Sequence, residues 1–278
     1  MVNNAQAETT AARSRAESDG EAGRLPVLWH LKVSHYNEKA RWALDHKRIP
    51  HVRRAAIPGR HAEIAQELWG GRTFPALDLG DEVVGDSTRI IAQLEQRWPE
   101  RPLYPDAPEA FMRAVEIEEF FDEELGPYIR LLAVHHMLPD RRLLFGAFVP
   151  DLSGARRLVA TATYPLVRRR VVADFGIDEA ALELAWSKCR AACQRFAAEL
   201  QPSGYLVGDR FCVADLTVAA LCSPVVAPEQ FPYPQPQRDH PRLADLRALL
   251  DEYGALEWTR EIYARHRPHS AEVLGSVI

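Results

Sequence analysis

Three short stretches hold the residues whose types and spacing suit chemistry. Ser34 lies in a polar turn, Ser34-His35-Tyr36-Asn37, just before a helical apolar pattern. Thr73-Phe74-Pro75-Ala76-Leu77 puts an X-Pro bond at the entrance to a short apolar strand, and Asp86-Ser87-Thr88 begins eleven residues after Pro75. Proline cannot donate to a strand ladder, so Pro75 predicts a strand's first residue or a bend. A cis bond there would leave the preceding backbone free to pair with something else. Asp-Ser at a helix start supplies a carboxylate, a hydroxyl and free N–H groups, which suit the charged end of a small molecule. The set predicts a site that grips a peptide-like ligand by its backbone.

The elements that must position these residues follow from periodicity. Val27 to Leu31 reads as a buried strand, Glu38 to His46 as a helix with Ala40, Ala43 and Leu44 on one face, and Val52 to Ala55 as a second strand. His61 to Leu68 reads as a helix stopped by Gly70-Gly71, residues 76–84 as a hairpin, and Ser87 to Trp98 as a helix. The order is βαβ, then α, then ββα. Pro99, Pro102, Pro105 and Pro108 mark a linker. Beyond it the patterns are helical over Ala110–Glu124, Arg141–Phe148, Ala155–Phe175, Glu179–Leu200, Val213–Ser223, Pro241–Tyr253 and Leu256–Arg265. A proline-dense segment, 227–241, reads as an irregular crossing.

Composition bounds the partners. The 278 residues carry a net charge of -5, with 47% apolar residues, so a sizeable core is expected and neither nucleic acid nor an anionic membrane has an electrostatic case. No apolar run approaches the roughly 20 residues of a membrane span. Cys189, Cys193, Cys212 and Cys222 include no CxxC pair and read as reduced cytosolic thiols. Cys189 and Cys193 lie one helical turn apart without an obvious third ligand, so buried core cysteines and no metal are expected. His135 and His136 are adjacent and cannot chelate together from one helix.

A small α/β domain, a proline-rich linker and an all-helical domain form an unusual pair. The chain resembles the glutathione S-transferase superfamily in four pieces: Ser34 to Leu44, Thr73 to Leu77, Gly85-Asp86-Ser87-Thr88-Arg89-Ile90, and Tyr205 to Leu216. Residues 1–24, rich in Ala, Glu, Ser and Arg, read as a disordered tail, 99–108 as a linker and 268–278 as a loose tail; the resemblance implies a thioredoxin-like glutathione-binding domain over 25–98 and an all-helical domain over 109–267. It also implies a cytoplasmic homodimer with a role in detoxification.

The task so implied is to bind glutathione as co-substrate and hold its sulfur as thiolate for attack on a small apolar electrophile, by conjugation or isomerisation. A free thiol has a pKa of about 8.5. Lowering it by about two units takes roughly 2.7 kcal/mol. A helix N-terminus supplies about 0.3–1 kcal/mol, or about 2 when partly buried, and a hydrogen bond to a charged group about 1.5–3. One hydroxyl at a helix start is about enough. Ser34 stands at the superfamily's catalytic position, with Tyr36 as the rival hydroxyl and His35 as a possible base or an exposed turn residue. Phe74-Pro75 would hold the cysteinyl backbone through a cis bond, and Asp86 and Ser87 the γ-glutamyl end. Lys39 and Arg72 are weak candidates for the glycyl carboxylate, Lys39 being otherwise expected on a solvated face. Asn37 occupies a place where relatives carry a redox cysteine, which counts against reduction through an enzyme thiol. Tyr128, Leu131, Leu132, His135 and Met137 are candidate walls for the electrophile. A related thiol in place of glutathione, and a non-catalytic ligand-binding or assembly module on the same fold, are the alternatives. Cys212 to Asp215 fills the slot of a capping box without the oxygen its first position requires.

Overall fold

The computed structural model describes residues 24–56, 60–149 and 153–273; apart from Arg24, the tail expected over 1–24 lies outside them. Val27–His30 (β1), Val52–Ala55 (β2), Ala76–Asp78 (β3) and Val83–Gly85 (β4) form one sheet in the order β2-β1-β3-β4. β1 is parallel to β2 and antiparallel to β3, with Leu28 opposite Leu77, and β3 is antiparallel to β4. Strand side chains alternate between faces. Leu28 and Leu77 therefore face His35–His46 (α1) and Ser87–Arg97 (α3), where Ala40, Leu44, Ile90 and Leu94 complete a dry core. Ala76 and Trp29 face the other way, packing with Phe74, Ile64 and Ala65 beneath His61–Trp69 (α2).

The remainder of the described chain is helical: Pro108–Glu124 (α4), Gly126–Met137 (α5), Arg141–Phe148 (α6), Gly154–Ala162 (α7), Tyr164–Phe175 (α8), Glu179–Glu199 (α9), Val213–Val226 (α10), Ala244–Glu252 (α11) and Ala255–His266 (α12). The architecture is an α/β thioredoxin-like domain followed by an all-helical bundle. α10 is buried along its whole length. It packs against α4, α5 and α12 and, across the seam, against α1. α1 is thereby covered on both sides, and Asn37, Glu38, Lys39, Arg41 and Asp45 are buried with the apolar residues of the same helix.

Three differences from the sequence patterns have local causes. The pattern over 155–175 is two helices, because Pro165 restarts the chain after Thr163, whose hydroxyl donates to the Val159 carbonyl at 2.9 Å. Residues 126–137 form a helix of their own that the patterns did not single out, started by Pro127. Residues 268–273 are not a loose tail. The Ala271 N–H donates to Asp45 Oδ1 at 2.8 Å, and the Val273 N–H to the His51 carbonyl at 2.8 Å. Arg267, just before them, is buried against Glu38 at 2.7 Å and Asp45 at 2.8 Å.

Candidate functional site

Ser34 is the N-cap of α1, in an extended conformation. Its surroundings come from one buried residue, Asn37. The Asn37 Oδ1 accepts the Leu31 N–H at 2.8 Å, which settles which way round the amide lies. Its Nδ2 then donates to Ser34 Oγ at 2.7 Å and to the Phe74 carbonyl at 2.9 Å. The Asn37 backbone N–H also points at Ser34 Oγ, at 3.4 Å. With its lone pairs facing these donors, the Ser34 hydroxyl must send its own proton elsewhere. Asn37, which the sequence marked only as a missing cysteine, thus ties Ser34 to the proline strand. Its signal was a short amide-bearing side chain three residues after an N-cap.

The turn that carries Ser34 is held from beneath by Arg41. This fully buried guanidinium donates to the carbonyls of Leu31 at 3.2 Å, Lys32 at 3.3 Å and Ser34 at 3.2 Å. Glu38 neutralises it at 2.8 Å, and Glu38 is shared with Arg267. His30 Nδ1 lies 2.9 Å from Arg41, and burial, with Arg41 second, pushes the His30 pKa well down, leaving a neutral ring to accept. Arg41 therefore holds the shape of the turn that carries Ser34.

The Phe74-Pro75 bond is cis. Phe74 and Pro75 are buried, and among the described residues the Phe74 N–H has no protein partner. The Pro75 carbonyl accepts the Asp86 N–H at 3.2 Å, so the proline strand and the Asp86-Ser87 turn are joined directly. Asp86 caps α3 by accepting the Thr88 and Arg89 N–H groups at 3.0 and 3.1 Å. It does so at φ +78°, a conformation costly for a residue other than glycine and one that clusters at functional sites. Ser87, at the first position of α3, is buried.

Three other candidates are engaged elsewhere. The Tyr36 hydroxyl donates to the Asp122 carbonyl at 2.6 Å, fills the space left by the absent side chain of Gly126, and is pushed up in pKa by burial and Asp122. His35 is not an exposed turn residue: it is buried, its Nε2 lies 2.9 Å from the Gly126 carbonyl, and burial and Arg130 lower its pKa to about 3. Lys39 is not on a solvated face. It is fully buried against Glu118 at 3.1 Å, Thr88 at 3.2 Å and Asp122, so it is not available to a glycyl carboxylate. Both reversals come from the docking of α4 and α5 onto α1. Arg72 is exposed just before the proline strand.

Of the expected walls, Leu132 and Met137 are core residues, whereas Tyr128 and Leu131 are half-buried. His135 lines a cavity of about 480 Å³ with Val172, Leu182 and Trp186, between α5, α8 and α9. Burial pushes the Cys193 thiol up to about 12 and raises Cys189, Cys212 and Cys222 as well, so these thiols are inert. Among the described residues no cluster has the makings of a metal site, and no helix is long and apolar enough to cross a membrane.

Residues 28–102, which hold Ser34, the cis-proline strand and Asp86-Ser87, match the family model described as glutathione S-transferase, N-terminal domain. That segment is similar to glutathione S-transferase N-terminal domains. The described residues share their fold with several solved structures. A glutathione S-transferase of Methylobacterium radiotolerans JCM 2831, solved with glutathione sulfonate, is similar at 20% identity and a TM-score of 0.53, covering 92% of this chain and 100% of that one. A glutathione S-transferase of Xanthobacter autotrophicus Py2 is similar at 16% identity and a TM-score of 0.57, covering 86% and 92%. One from Methylobacillus flagellatus KT, solved with glutathione bound, is similar at 19% identity and a TM-score of 0.51, covering 84% and 98%. No curated protein matches the sequence.

Proposed function

We propose that the protein binds glutathione, or a closely related low-molecular-weight thiol, and activates it for attack on a small apolar electrophile. The observation that carries this reading is the Ser34 hydroxyl at the α1 N-terminus, its oxygen facing two Asn37 donors and its proton left over. A thiolate is the acceptor such a proton suits, and the helix start adds to the stabilisation. The Phe74 N–H takes the cysteinyl backbone of the tripeptide. Its carbonyl, already accepting one Asn37 hydrogen, keeps a second lone pair for the ligand. Ser87 and the α3 N-terminus take the γ-glutamyl carboxylate, and Asp86 its ammonium. Conjugation and isomerisation both fit. A homodimer with a detoxifying role in the cytoplasm belongs to the same reading.

A non-catalytic assembly module is the second reading, favoured by Leu158, Val159 and Leu166, which α7 and α8 hold in solvent. Calorimetry with glutathione, followed by the ultraviolet thiolate band of the complex at neutral pH, separates the two. Binding with a thiolate band that Ser34→Ala removes supports the enzyme. Binding without the band supports the module, and no binding of glutathione or of other cellular thiols overturns both.

A further inference from the structure

The buried cations of α1 and its surroundings are matched by anions. Lys39 has Glu118 and Asp122, Arg41 has Glu38, and Arg53 and Arg267 share Asp45. Arg130, on α5, is placed differently. Among the described residues it makes no ion pair and no hydrogen bond. Its guanidinium lies instead 5.5 Å from the centroid of the Phe175 ring and 6.0 Å from that of Tyr36. The residue keeps solvent access, yet protein crowds the charged end closely enough that desolvation lowers its pKa.

Its position ties it to the candidate site. Arg130 lies one turn beyond Gly126 on α5, the point where α5 meets His35 and Tyr36. Its charge bears on His35 and Tyr36, the two residues after Ser34, and Tyr36 also feels Asp86. A partly desolvated guanidinium with only ring faces beside it recovers little of its lost hydration, and an oxyanion with planar geometry is its natural partner. The tripeptide's γ-glutamyl carboxylate is already accounted for on the thioredoxin-like side by Ser87 and the α3 N-terminus. Arg130 comes from the helical part, beside the Tyr36 ring.

Resting on the thiol-activation reading, we propose that the electrophile is an anion, in the simplest case an aryl or unsaturated carboxylate. Its oxyanion pairs with Arg130 and its apolar body lies on Phe175. Arg130 is then the residue that selects among electrophiles.

Two glutathione thioethers of one shape test this by calorimetry: S-(4-carboxybenzyl)glutathione and its neutral isostere S-(4-carbamoylbenzyl)glutathione. The wild-type protein should bind the carboxylate about tenfold or more tightly, the size of one charge-assisted contact. Arg130→Met, which keeps an apolar stem, should erase that preference while leaving the carbamoyl compound unchanged, and Arg130→Lys should keep part of it. Equal wild-type affinities overturn the inference. So does equal weakening of both compounds in Arg130→Met, which would assign Arg130 to the tripeptide. Binding of neither compound to the wild type overturns the glutathione reading itself, and the inference falls with it.

Discussion

The turn that carries Ser34 and the hairpin of α7 and α8 are built on opposite plans. Around Ser34 the carbonyls of Leu31, Lys32 and Ser34 are pinned by buried Arg41, Arg41 by Glu38, and Glu38 by Arg267 from the far end of the chain. In the hairpin, α8 buries none of its residues fully, and Leu166 is 70% exposed. A thiolate is stabilised only by donors whose positions are fixed beforehand, so rigidity is useful at Ser34. The hairpin is thinly packed by contrast, with Arg130 over the Phe175 ring at its end.

If the contrast is real, substitutions should grade from severe to silent across it. Glu38→Gln leaves Arg41 without an anion and Arg267 with Asp45 alone, and should cost about 3–5 kcal/mol in denaturant unfolding. A cost under about 1 kcal/mol would break the comparison, because the network beneath Ser34 would then be ornamental.

Asp45→Asn removes the anion shared by Arg53 and Arg267 and should cost nearly as much. It also has a pH signature. Burial alone would raise the Asp45 carboxyl, but Arg267, Arg53 and the Ala271 N–H hold it below its ordinary value. Its stabilisation is therefore complete above the unfolded pKa of about 4 and is lost as the pH falls through the lower folded value. Melting curves of the wild type and Asp45→Asn should converge on acidification and separate above about pH 4.

Cys212→Ser comes next. Asp215 reaches back to the Cys212 and Leu206 N–H groups at 2.9 and 2.8 Å and the Cys212 sulfur faces the Asp215 N–H, so replacing that weak acceptor with an oxygen should strengthen the cap and raise stability by about 0.5–1 kcal/mol. An unchanged or lower unfolding midpoint would contradict that. Smallest is Leu166→Ser in the hairpin, expected within about 0.5 kcal/mol of wild type. A cost of several times that would show that a partner covers this face in solution.

What the sequence showed and what it hid divide along the same line. Strand alternation at Leu28 and Leu77, the proline entrance at Pro75 and the helix starts at Ser34 and Asp86 are local signals, and each element is where the periodicity predicts it. The burial of His35 and Lys39 depends on Gly126 and Glu118, some eighty to ninety residues on, so a pattern confined to α1 read both as exposed. Leu132 and Met137 were read as pocket walls for the same reason: the face of α5 that meets α10 cannot be told from the face that meets solvent without the partner. Asn37 was hidden differently. Its residue type was noticed, but its two-sided bridge exists only once the proline strand is folded beside the turn.

The central claim is that Asn37 turns the Ser34 proton outward to a thiol. The direct measurement is the pKa of bound glutathione, read from its thiolate absorbance across pH in the wild type, Ser34→Ala and Asn37→Leu. Loss of one hydrogen bond to a charged sulfur, about 1.5–3 kcal/mol, should raise that pKa by about 1–2 units in Ser34→Ala. Asn37→Leu should reproduce most of the rise although the hydroxyl is still present. A thiol pKa unmoved by Ser34→Ala would contradict the account, and one moved by Ser34→Ala but not by Asn37→Leu would remove Asn37 from it.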